Sequence, residues 1–259
     1  MNRIIGAAAW LLIAFATVPS GAAGPVVSEL TLEDGGIERM LYAAPENPRA
    51  VLIMLPGGNG MVEFGPDGGF RRGGEGFLQR TLPLWREHGF AVAVLTPPNG
   101  MSLLGYRHTP GYAAAVGKAV DHLKGGADLP IWLVGTSQGA IAAVGAAARL
   151  GAKIAGIVVM SSVTGRSSAG ETLFDGEPDR VAVPVLIVAN QGDTCPASPP
   201  GDAAKIAAAL TQAPRKEILY LDSTASKGEP CGAGSPHGYS GIEPEAVARV
   251  ARWIAEAPQ

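Results

Sequence analysis

The sequence has little charge, two cysteines, no internal repeat, and no apolar run long enough to cross a bilayer comfortably, which takes ~20 residues. Charged residues make up 17% of the chain and the formal net charge is −3. Nucleic-acid binders need clustered Lys and Arg to neutralise phosphates, so this balance excludes a general electrostatic case for nucleic acid. The one basic cluster, Arg71-Arg72 with Arg80 beyond, reads as a solvated loop. The two cysteines have no histidine at ligand spacing, which argues against zinc. Segment Gly111–Lys118 has a superficial P-loop look, but its spacing is one residue too long. Ala119 also stands where the motif needs a hydroxyl, so a phosphate cradle is rejected.

What is present points to an α/β protein. The chain has 259 residues, 47% of them hydrophobic, enough for one large domain or at most two small ones. Its 36 glycines and 21 prolines are dispersed, as in a fold with many tight turns. Residues 1–23 read as a signal peptide: Arg3, an apolar stretch Ile4–Ala16, then small residues up to Ala23. Residues 24–259 are then a single exported domain, periplasmic or secreted, with no stable membrane anchor after cleavage. Export places Cys195 and Cys231 in an oxidising compartment, where an even count predicts a disulfide between them.

The chain is organised around Ile131–Ala140. The apolar run Ile131–Val134 leads into Gly135-Thr136-Ser137-Gln138-Gly139, and an alanine-rich helical pattern follows. This is G-x-S-x-G in a strand–turn–helix context, the arrangement that lifts a serine hydroxyl clear of a sheet on a strained bend. Gly135 and Gly139 leave room for strand and helix to meet closely. The N–H of Gln138 opens the helix and can donate to an oxyanion.

The other segments alternate strand with helix. Val26–Leu32 and Glu38–Ala43 form a hairpin about Asp34-Gly35-Gly36. Ala50–Leu55 is a buried strand ending in Pro56-Gly57-Gly58-Asn59-Gly60, where the N–H of Gly58 is the expected second oxyanion donor. Met61–Gly76 reads as a long loop, and Phe77–His88 as a helix that Pro83 kinks or delays. Phe90–Leu95 is a strand, and 99–110 a second loop carrying Ser102, Tyr106 and His108. Gly111–Lys124 is a helix. Strands follow at Ile154–Met160, Val183–Ala189 and Glu217–Leu221, and helices at Ala203–Leu210 and Pro244–Ala255. The gap at 163–182 is too short for a helical cap. Such alternation predicts a largely parallel sheet with helices on both faces.

A serine hydroxyl needs a base, and the base an orienting acid. Asp193 follows the strand at Val183–Ala189 and so falls on the same rim as the elbow; Asp222 is the alternative. Of the four histidines, His88 and His122 read as structural, and His108 stays open as a substrate contact. His237 alone follows both Ser137 and Asp193, giving the order Ser, Asp, His expected for this elbow. Cys195 and Cys231 lie close in sequence to Asp193 and His237, so their bridge would tie the acid loop to the base loop.

Ser137 in its elbow, the turn at Pro56–Gly60, Asp193 and His237 together resemble the α/β-hydrolase superfamily over roughly residues 38–256. The resemblance implies an α/β-hydrolase-like fold: a mostly parallel sheet of about eight strands, with little or no cap domain. It implies Ser137 as nucleophile, His237 as general base then acid, Asp193 as its orienter, Gly58 and Gln138 as oxyanion donors, and no cofactor or metal. Many members carry His-Gly where this chain has Pro56-Gly57, so the second donor stays open at this point. The expected activity is cleavage of an ester or thioester in a small-molecule or polymeric acyl substrate. Peptidase or acyltransferase chemistry would use the same residues, and a binding protein on a retired hydrolase fold would lack it.

Overall fold

A computed structural model describes residues 24–165 and 170–257; the signal-peptide reading falls on 1–23, outside the described residues. Eight strands form one sheet. They are β1 (Val26–Thr31), β2 (Ile37–Ala43), β3 (Ala50–Leu55), β6 (Phe90–Leu95), β7 (Ile131–Thr136), β8 (Gly156–Met160), β9 (Val185–Asn190) and β10 (Lys216–Leu221). Two further strands, β4 (Glu63–Phe64) and β5 (Phe70–Arg72), pair only with each other. The sheet order is β1-β2-β6-β3-β7-β8-β9-β10. The pairs β1–β2 and β2–β6 are antiparallel and all others parallel.

Two helix layers cover the sheet. On one face lie α3 (Pro110–Gly126), α4 (Gln138–Leu150) and α5 (Ala203–Ala209), packed on Val51, Ile53, Leu133 and Ile157. On the other lie α1 (Phe77–Arg80), α2 (Leu82–Glu87) and α6 (Glu243–Ala255), packed on Leu52, Met54, Val134 and Val158. The alternation along each strand sends successive side chains to opposite cores. That is why β3, β6, β7, β8 and β9 are buried at every position and read as continuous apolar runs. The small residues of α4 allow it to sit close to the sheet, with Gln138–Ala147 all buried.

Two segments and one side chain differ from the sequence reading. Residues 61–76 are not all loop but contain the β4–β5 hairpin, too short to leave a periodic pattern; Phe64 and Phe70 meet edge-on across it. The expected helix over 77–88 divides at Thr81, whose hydroxyl donates to Phe77 O at 2.6 Å and accepts from Trp85 Nε1 at 3.0 Å. Pro83 opens the second piece, where its missing N–H costs nothing. Arg80 is not simply solvated. It ion-pairs with Glu243 at 3.0 Å and donates to Gly238 O at 2.6 Å, tying α1 to α6 and to the loop carrying His237. Among the described residues of 163–182 there are only short 3-10 turns, at Leu173–Gly176 and Pro178–Arg180.

One buried charge site is unusual. Glu38 on β2 is 0% exposed, and among the described residues neither carboxylate oxygen has a hydrogen-bond partner. Burial pushes its pKa up from an ordinary 4.5 to about 8. Below pH 4.5 the carboxyl is neutral in folded and unfolded chains alike. Above it the unfolded chain releases the proton while the folded chain keeps it, so stability falls as pH rises towards 8. Glu38→Gln is expected to flatten that fall, a difference on the order of 4 kcal/mol at pH 8. Thermal melts of both proteins at pH 5, 6.5 and 8 measure it; parallel curves would contradict it.

Candidate active site

Ser137 stands between β7 and α4 with φ 54° and ψ −123°, a left-handed strained backbone for a non-glycine residue. The strain persists because the bend is over-determined. A Cβ on Gly135 would overlap the Gly139 carbonyl, and one on Gly139 would overlap the Leu55 carbonyl. The Ser137 N–H donates to Met160 O at 2.9 Å, securing the bend to β8. Gln138 then begins a 13-residue helix beside the serine hydroxyl. Gly57 closes in from the neighbouring turn, where a Cβ would stand 3.0 Å from Ser137 Cβ.

Asp193 follows the carboxyl end of β9, and His237 lies in a 3-10 turn, Pro236–Gly238, after β10. His237 Nδ1 lies 2.9 Å from Asp193 Oδ2, and both residues are 6% exposed. Asp193 Oδ1 accepts from Cys195 N–H at 2.8 Å. Ser198, absent from the sequence reading, completes the cluster. Its hydroxyl donates to Asp193 Oδ2 at 3.0 Å and lies 2.9 Å from His237 Nδ1. With a carboxylate at Nδ1, the proton belongs on that nitrogen, leaving Nε2 as the basic one. The histidine backbone is also fixed: Ser161 Oγ donates to His237 O at 2.9 Å and Asn190 Nδ2 to Pro236 O at 2.7 Å. Tyr239 packs beneath, wholly buried, and donates to Val188 O at 3.1 Å; burial drives its phenol pKa upward.

Ser137, His237, Gly57 and Gly58 line one cavity of about 240 Å³. Its other walls include Met61, Val62, Phe77 and Gln79. Among the described residues the Ser137 hydroxyl has no hydrogen-bond partner; such contacts commonly tighten only when substrate is bound. Cys195 and Cys231 form a disulfide, and Cys231 is part of the cavity wall. The 61–76 segment lines the cavity, whereas no residue of 99–110 does. His108 is instead paired with Glu171 at 2.9 Å. His88 caps the end of α2 and His122 is exposed on α3. Asp222 is exposed, while Asp193 holds the histidine. Among the described residues no group of three or more His, Cys, Asp or Glu is placed to hold a metal ion.

No protein-family model matches this sequence, and no curated protein matches it. Solved structures do resemble it. The esterase Pf2001 of Pyrococcus furiosus superposes with a TM-score of 0.65 at 12% identity, over 90% of this chain and 92% of that one. Est1E from Butyrivibrio proteoclasticus gives 0.60 at 16% identity, over 91% and 99%. A thermostable carboxyl esterase from Bacillus coagulans gives 0.58 at 13% identity, over 90% and 99%. At such identities the likeness is one of fold. Together with the mostly parallel eight-stranded sheet and its elbow between β7 and α4, it identifies the architecture: this chain has the α/β-hydrolase fold.

Proposed function

We propose that the protein is a serine hydrolase that cleaves a carboxylic ester through an acyl-serine intermediate. The observation that carries this reading is a histidine, His237, held by a buried carboxylate and lining the same cavity as a strained elbow serine. Ser137 Oγ attacks the acyl carbon while His237 Nε2 takes its proton. The tetrahedral oxyanion is met by the N–H groups of Gln138 and Gly58. Collapse breaks the bond to the alcohol oxygen, which leaves with the proton from His237. Water, deprotonated by His237, then attacks the acyl-serine and releases the acid. Neighbours of similar fold that are named as esterases favour oxygen esters; thioesters would react by the same steps.

Asp193 holds the imidazole in the tautomer that accepts a proton at Nε2, and Ser198 holds Asp193. Ser198→Ala removes one hydrogen bond to a buried carboxylate. It is expected to lower kcat about tenfold, in line with roughly 1.5 kcal/mol for a charged hydrogen bond, and to leave KM within about twofold. Steady-state kinetics on a chromogenic ester check it, and an unchanged kcat would remove Ser198 from the mechanism. Labelling of the purified protein by a fluorophosphonate probe, read by intact mass, tests the whole reading. A single adduct on Ser137 is expected. Failure of the folded, oxidised protein to react would favour a binding protein on a hydrolase fold.

We also propose that the protein is exported. The disulfide and the leader-like composition of residues 1–23 support this, and N-terminal sequencing of the mature protein tests it. Among the described residues no helix is long and apolar enough to cross a membrane.

A further inference from the structure

The turn Pro56–Gly60 carries the proposed Gly58 donor, and a single buried side chain braces it from behind. Arg107, in the loop before α3, is 0% exposed. Its Nη2 donates to Pro56 O at 3.1 Å and lies 3.4 Å from Gly57 O. Among the described residues its Nε and Nη1 have no hydrogen-bond partner. One turn further along, Leu103 N–H donates to Asn59 O at 2.9 Å. The 99–110 loop therefore holds the turn by three of its carbonyls, those of Pro56, Gly57 and Asn59. A guanidinium buried this deeply is costly. Burial lowers its pKa, and the nearby carboxylate of Glu171, 3% exposed, offsets that.

Peptide geometry makes the brace directional. The chain has no cis peptide among the described residues, and in a planar trans peptide the C=O and N–H point in opposite directions. With the carbonyls of Pro56 and Gly57 held on the Arg107 side, the N–H groups of Gly57 and Gly58 point away from it. Both glycines line the Ser137 cavity, and a Cβ on Gly57 would stand 3.6 Å from Ser137 Oγ. A cation at the carbonyl oxygens also draws electron density from the two amides and strengthens their N–H groups as donors.

We infer that Arg107 is a positioning residue that holds and polarises the Gly57 and Gly58 amides as one wall of the oxyanion site. This rests on the serine-hydrolase reading. It also accounts for the Pro56-Gly57 sequence at the turn, because Pro56 contributes only a carbonyl, and that carbonyl is held by Arg107.

The test compares wild type with Arg107→Lys and Arg107→Gln, after active-site titration by the fluorophosphonate probe counts competent Ser137 in each. Wild-type labelling first establishes the hydrolase itself, so its failure is seen separately. For each variant kcat per titrated site is expected to fall about 10–100-fold, below the 10²–10³ of deleting a donor outright. KM should stay within about threefold. The Ki of a boronic acid, which forms an anionic tetrahedral adduct on the serine, should rise by the same factor as kcat falls. A merely structural brace would lower the titratable fraction and Tm while leaving kcat per site unchanged, and that result overturns the inference. Should neither variant fold, the wild type labelled with ¹⁵N-glycine decides. Boronate binding should move the Gly57 and Gly58 amide protons downfield, and movement of neither overturns the inference.

Discussion

Ser137→Ala is expected to abolish fluorophosphonate labelling and to lower kcat by about 10⁴–10⁶-fold, while Tm stays within a few degrees of wild type. Alanine keeps a Cβ, so the φ 54° bend is neither relieved nor made worse. The contacts that hold it involve the backbone: Ser137 N–H on Met160 O, and the close approaches of Gly135 and Gly139. The hydroxyl itself bonds nothing in the described structure, so its removal leaves no buried partner unsatisfied. Loss of activity with an unchanged melt therefore isolates the chemistry from the fold. Residual turnover near the wild-type level would overturn Ser137 as nucleophile, and the remaining cavity walls offer no second serine beside His237.

The second large effect is expected from removing the disulfide. Cys195 and Cys231 are 36 residues apart in sequence, and closing a loop of that size in the unfolded chain is worth roughly 4 kcal/mol in the chain-entropy model. For a protein of this size that corresponds to a fall in Tm of about 8–15 °C. The double variant Cys195→Ser/Cys231→Ser should therefore melt well below wild type. Its kcat should also fall at temperatures where it is fully folded. The reason is local: the Cys195 N–H holds Asp193 Oδ1, and Cys231 stands in the cavity wall near His237. Releasing the bridge removes the covalent tie between the acid loop and the base loop, and leaves the Asp193–His237 contact to hydrogen bonds such as those from Ser198, Ser161 and Asn190. Kinetics at 15 °C, checked against a circular-dichroism melt, separate the two effects. An unchanged kcat with a lowered Tm would make the bridge a staple of stability only.

Much of the architecture was legible in the sequence, for reasons that can be named. Strands buried on both faces must be apolar throughout, so Ala50–Leu55, Phe90–Leu95 and Ile131–Val134 announce themselves. The elbow is legible because its spacing is local: Gly135 and Gly139 stand two residues either side of Ser137, the first answering a clash with the Gly139 carbonyl inside the bend and the second leaving room for the Leu55 carbonyl of β3. Chain order then singled out His237 and left Asp193 or Asp222 for its partner, since loops after successive parallel strands return to the same rim; the fold pairs His237 with Asp193. The cysteine pair was legible because there were only two to join.

What only the tertiary structure decided lies where partners are far apart in sequence and have no periodic or glycine signature. Ser198 stands 39 residues from His237, in a run of prolines and small residues that reads as any turn. Arg107 is about 50 residues from the carbonyls it holds, between Tyr106 and His108 in a loop without periodic pattern. Glu38 sits at a position an alternating strand would give to a core residue, yet no local rule foretold that a carboxyl would occupy it without a partner. The 99–110 loop was legible as a loop, but its contact with the Pro56–Gly60 turn was not. Local sterics write the backbone into neighbouring residues; the polar contacts that place His237, Asp193 and the Pro56–Gly60 turn exist only once the sheet has brought distant loops to one edge.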